Sequence, residues 1–106
     1  MRITLTARHI EIPETFRELL EGKLQKLERF GHKLIGLHAI FDREKYLYTT
    51  ELTLSTKGLT LVGKAKHPRD LLTCLEAALM KLEEQLRRHE SKRVDRLRRR
   101  VPHRPA

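Results

Sequence analysis

The chain has 106 residues, 39% of them hydrophobic and 35% charged. That balance suits one globular domain around a single core and excludes a disordered chain. Net charge is +9 with a pI near 10.2, which points to a phosphate-rich partner or an anionic membrane surface. A single cysteine, Cys74, excludes a disulfide framework and a cysteine-rich zinc site, and suits a small buried hydrophobe in a reducing interior. No run approaches the ~20 apolar residues of a membrane span. No long apolar leader opens the chain, so no signal peptide, no membrane partner and a cytoplasmic setting are expected.

In chain order, "RITLTAR" alternates Ile3, Leu5 and Ala7 against Arg2, Thr4, Thr6 and Arg8, which predicts a half-buried strand. Pro13 then marks a helix start, and Glu14 suits its positive end. Phe16, Leu19, Leu20, Leu24, Leu27 and Phe30 recur at helical spacing until Gly31 stops the run. Three strands are predicted next. "IGLHAIF" turns Ile35, Leu37, Ala39 and Phe41 to one side. "YTTELTLS" does the same with Tyr48, Thr50, Leu52 and Leu54, and "LTLVGKAK" with Leu59, Leu61, Gly63 and Ala65. "DREKY" (Asp42 to Tyr46) reads as a polar connection, and Thr56–Lys57–Gly58 as a hairpin turn.

Pro68 ends the strands, and Asp70 is placed to cap a second helix. Its apolar stripe is Leu71, Leu72, Leu75, Ala78, Leu79, Leu82 and Leu86. Beyond Lys92, Val94 and Leu97 are too few to anchor the chain, so residues 93–106 are expected to form a basic, flexible tail. The order β-α-β-β-β-α predicts an α+β fold over residues 1–92. It is a two-layer sandwich, a four-stranded sheet with both helices packed on its oily face.

Nothing in the chain carries a catalytic signature. There is no glycine-rich phosphate loop, nucleophile elbow or zinc-binding His-Glu-x-x-His helix. The six histidines (His9, His32, His38, His67, His89 and His103) are scattered. No enzyme activity, metal or cofactor is expected.

The positive charge is concentrated. Residues 81–106 hold ten Lys or Arg against four acids, and the first 80 hold thirteen against ten. Lys81, Arg88 and Lys92 fall at steps of seven and four, so they stack on one helix flank, with Gln85 filling the gap and Arg87 nearby. On the first helix Lys23, Lys26 and Arg29 recur every three residues, and Lys23 falls inside the apolar stripe, where it must snorkel. With the helices side by side, the two flanks could merge into one basic platform, the alternative being two separate solvated flanks. Aromatic content of 5%, with no Trp, argues against base stacking as the main mode of binding. Without a recognition-helix signature, structured RNA read by shape is expected, and not DNA.

At this point the chain resembles the ribosome hibernation-promoting factors, also known as ribosome-associated inhibitors or sigma-54 modulation proteins. The resemblance rests on the element order and on "EIPETFRELLEGKLQKLERF", "HPRDLLTCLEAAL" and "KLEEQLRRHESK", and covers residues 1–92. It implies a factor bound to the small ribosomal subunit over the A and P sites. Contacts to 16S rRNA would block translation under stress or in stationary phase. It implies rRNA-binding roles for Lys23, Lys26, Arg29, Lys81, Arg88 and Lys92, to which Arg87 is added. Glu84 stands where the family is usually basic, and Leu72 where it usually has Tyr. Long members carry a dimerisation domain for which 106 residues leave no room, so a short form is expected, monomeric off the ribosome. Two rival readings remain: a generic double-stranded RNA module, and a protein-interaction regulator of a sigma factor.

Overall fold

A computed structural model describes residues 2–29 and 33–100, without the side chains of Arg29 and of residues 90–100. Its elements are β1 (Arg2–Arg8), α1 (Glu14–Arg29), β2 (Leu34–Glu44), β3 (Leu47–Thr56), β4 (Leu59–His67) and α2 (Leu71–Arg100). The strands lie in the order β1-β2-β3-β4. β1 runs parallel to β2, with α1 as the crossover that parallel pairing requires, and the other two pairings are antiparallel. The expected element order and two-layer plan are both found.

One core forms between the sheet and the helices. Leu37, Ala39 and Phe41 of β2, Leu52 and Leu54 of β3, and Leu61 and Ala65 of β4 meet Phe16, Leu20 and Leu24 of α1 and the buried stripe of α2. Strict alternation on β3 and β4 delivers these residues to one face because side chains reverse at every step. Phe16 packs tilted on Phe41, 5.7 Å between ring centroids. Cys74 is the buried hydrophobe expected, its thiol donating to the Ala65 carbonyl at 3.2 Å. Thr50 takes a core position too, and its buried hydroxyl has no partner among the described residues.

α2 lies directly on β4. A Cβ at Gly63 would stand 2.6 Å from the Ala78 carbonyl oxygen and 3.1 Å from Leu82 Cγ. Asp70 caps α2 as expected. Its carboxylate accepts from the Leu72 and Thr73 amides and, at 2.6 Å, from the Thr73 hydroxyl, while its carbonyl takes the Cys74 N–H. Those bonds, the Thr73 hydroxyl foremost, hold the Asp70 carboxyl below the ordinary carboxylate range against a smaller opposing effect of desolvation. His67 Nδ1 shapes the approach by accepting the Arg69 and Asp70 amides.

The differences from expectation are local. Ile35 is 60% exposed, not inward, because the β2–β3 register shifts between Leu34 and Gly36; Leu34 packs against the core instead. Ala7, near the end of the outer strand β1, is exposed. Leu72 sits at the margin of its stripe, 39% exposed. "DREKY" is mostly strand: β2 runs to Glu44 and only Lys45 and Tyr46 turn. α2 continues past Lys92 to Arg100, through a segment of Arg, Leu, Val and Asp without Gly or Pro, all compatible with a helix interior. Phe30 and Gly31, expected to finish and stop α1, lie outside the described residues, as do residues 101–106 of the tail.

Candidate nucleic-acid interface

The flank of α2 that carries Lys81 and Gln85 is turned to the outer strand of the sheet. Lys81 Nζ donates to the Lys64 carbonyl at 2.5 Å and Gln85 Nε2 to the Val62 carbonyl at 2.7 Å, both on β4. Both side chains therefore hold the helix to the sheet. Lys81 remains exposed, and an ammonium has three protons to donate, so one bond to a carbonyl leaves it able to meet an anion as well.

Arg88, one step further along this flank, donates from Nη2 to Glu84 Oε1 at 2.6 Å, an exposed i,i+4 pair. Glu84 thus answers to Arg88 and is neutralised by it. Arg87 is exposed and lies about 120° round the helix from Lys81, at ~100° per residue. Lys92 belongs to the same helix, its side chain outside the described residues.

On α1, Lys23 is half-buried at the margin of the core, as its place in the stripe requires, and Lys26 is exposed. The Arg29 side chain lies outside the described residues. α1 is tied to the opposite border of the sheet: Arg17 Nη1 donates to the Ile3 carbonyl of β1 at 3.1 Å. Lys81 and Gln85 are instead drawn to β4.

A feature not anticipated from the sequence is the division of charge on α1. Glu14, Glu18, Glu21 and Glu28, with Gln25, follow steps of three and four and form an exposed acidic flank. Glu21, Gln25 and Glu28 line a shallow groove with Ile3 and Arg17, on the β1 side. Lys23 and Lys26 lie on the opposite flank. The signal was present in the spacing, but attention to the basic residues alone passes over it. A helix so divided would repel a polyanion on one side and admit it on the other.

Two helices on one face of a mixed sheet, with cations ranged along the second, define a small basic α+β binding domain. A model of the family described as Sigma 54 modulation protein / S30EA ribosomal protein matches residues 3–94, and the chain belongs to that family. The family is one of ribosome-associated binding factors and not of enzymes. The ribosome hibernation promoting factor of Azotobacter vinelandii is 26% identical over 96 residues, covering 91% of this chain and 89% of its own. That of Escherichia coli K12 is 27% identical over 92 residues, covering 87% and 96%. Among solved structures, a ribosomal subunit interface protein from Coxiella burnetii shares the fold with a TM-score of 0.74 at 24% identity, over 86% of this chain and 99% of that one. The N-terminal domain of Thermus thermophilus Protein Y does so with a TM-score of 0.72 at 24% identity, over 84% and 99%.

Proposed function

We propose that the chain is a cytoplasmic ribosome hibernation factor that binds the small ribosomal subunit through 16S rRNA near the A and P sites. There it inhibits translation under stress or in stationary phase. The observation that carries this reading is the outward row of α2, where Lys81 and Arg88 are exposed on a helix fastened to β4 by two side-chain bonds. Cations carried on a rigid helix lose little entropy when they meet the phosphates of folded RNA. The relatives' names, ribosome hibernation promoting factor, supply the assembly on which such a row would act. Lys23, Lys26, Arg29, Arg87 and Lys92 complete the proposed rRNA contacts.

The test is sedimentation with isolated small subunits through sucrose gradients over a range of salt. Co-sedimentation that falls steeply with salt is expected, as counterion release requires. The triple variant Lys26→Glu, Arg88→Glu, Lys92→Glu is expected to lose binding and keep its circular dichroism spectrum. Full retention of binding by that variant would overturn the reading. Capture of a sigma factor after nuclease treatment, with no subunit binding, would replace it with the rival regulatory role.

A further inference from the structure

The β2–β3 turn is built against local backbone preference. Glu44 pairs with Leu47 across a two-residue turn, and Lys45, its first central residue, has φ of 53°. Glycine ordinarily fills such a position because a Cβ disfavours the left-handed region. The β3–β4 turn follows that rule, with Gly58 at φ 84°. A turn that keeps lysine at the strained place invites a role for its side chains.

Those side chains are conspicuous. Tyr46 is 86% exposed, the barest large apolar residue among those described. Its ring borders a shallow, largely apolar hollow of about 660 Å³ with Glu44, Lys45, Leu47 and Pro68. The other tyrosine, Tyr48, is half-buried and already carries the Arg43 guanidinium 5.5 Å from its ring centroid. Lys45, in the lining of the hollow, and Arg69, next in sequence to Pro68, are exposed cations. Asp42 and Asp70 are committed to hydrogen bonds, so Glu44 is the acid at its rim. A bare aromatic face beside cations suits a ligand that is both flat and anionic.

We infer that Tyr46 is a stacking contact for an unpaired nucleotide of the bound RNA, with Lys45 and Arg69 holding its phosphate. This rests on the rRNA-binding reading above and adds a second kind of contact to it. Composition excludes a platform of aromatics, but one ring suffices for one base. The contact is separate from the cationic row: the hollow adjoins Pro68, just before α2, whereas Lys81 to Arg88 lie about 15 to 26 Å along the helix at ~1.5 Å per residue.

Small subunits are titrated with the wild-type chain, Tyr46→Ala, Tyr46→Phe and the helix charge-reversal variant, and the complexes are irradiated to form zero-length cross-links. Tyr46→Ala is expected to weaken binding about tenfold, as loss of one base–aromatic stack does, while Tyr46→Phe binds as wild type. The slope of affinity against salt is expected to stay unchanged in Tyr46→Ala, because no charge is removed, and to fall in the helix variant. A nucleotide adduct on the Tyr46 peptide completes the expected result. Wild-type affinity in Tyr46→Ala overturns the inference while leaving the helix-borne function intact, and so does a Tyr46 cross-link to a ribosomal protein. Failure of the wild-type chain to bind subunits overturns both.

Discussion

Gly63 of β4 and Ala78 of α2 meet backbone to backbone. With only 2.6 Å between a would-be Cβ at Gly63 and the Ala78 carbonyl oxygen, any side chain must push the helix off the sheet. Gly63→Ala is expected to lower stability by about 3 kcal/mol, the upper range for overpacking, because the obstacle is main chain and cannot change rotamer. Denaturant unfolding followed by circular dichroism reads the loss. Gly22, with open space around it, is the control: Gly22→Ala should raise stability by about 0.5–1 kcal/mol through helix propensity.

Thr50 offers a gain. Its hydroxyl is buried without a partner, so the desolvation cost of that group is uncompensated. Thr50→Val keeps the shape and removes the cost, and should raise stability by about 1 kcal/mol. A lower melting temperature in Thr50→Val would show that the hydroxyl has a partner after all.

Gln85 and Lys81 separate fold from ligand. Gln85→Ala should cost about 1 kcal/mol of stability and leave the salt dependence of RNA binding unchanged, since only a neutral bond to Val62 is lost. Lys81→Ala should reduce both stability and the salt slope, the latter by about one phosphate contact. Equal effects of the two variants on the salt slope would assign Lys81 to the fold alone.

Glu84 restrains Arg88. Glu84→Gln breaks an exposed i,i+4 pair, which should cost about 0.3–0.5 kcal/mol at most. It also frees the guanidinium, and should tighten small-subunit binding about fivefold at low salt, the gain shrinking as salt rises. Unchanged affinity at low salt would place the RNA elsewhere than this flank.

Acid should weaken the fold through two aspartates. Asp70 is held below the ordinary carboxylate range by the Thr73 hydroxyl and the Leu72 and Thr73 amides. Asp42 is held low first by its hydrogen bond with His9, then by the Arg43 amide and nearby positive charge; desolvation opposes the shift in each case. A folded-state pKa below the unfolded one means that the unfolded chain binds more protons between the two values, so stability rises with pH there. The contribution is complete above the ordinary range and is lost as pH falls below about 4 through the folded pKa values. Unfolding measured from pH 7 to pH 2 should show this limb, shallower in Asp70→Asn and in Asp42→Asn.

Much of this was legible from residue order. Period-two alternation marked Leu52, Leu54, Leu61 and Ala65 as inward because each sheet face repeats every second residue, and "HPRD" announced the Asp70 cap. Ile35 escaped because a register shift interrupts that period without altering composition. The azimuth of Lys81 on its helix was readable, but not its target. That depends on β4 being the outer strand beneath α2, a fact of strand order that no local pattern contains. The rRNA roles proposed for Lys23, Lys26 and Arg88 rest on family likeness and charge, since a wet helix flank and a phosphate-binding flank have the same residue types.

The helix-to-strand bonds have one more consequence. The outer strands of an open sheet offer unpaired carbonyls to any extended segment that approaches, and so invite intermolecular pairing. Here Arg17 occupies the Ile3 carbonyl on one border, and Lys81 and Gln85 occupy those of Lys64 and Val62 on the other. A second chain seeking to extend the sheet must first displace Arg17 at the β1 border, or Lys81 and Gln85 at the β4 border. The long basic helix therefore also obstructs strand addition along the β4 border, as α1 does through Arg17 along β1.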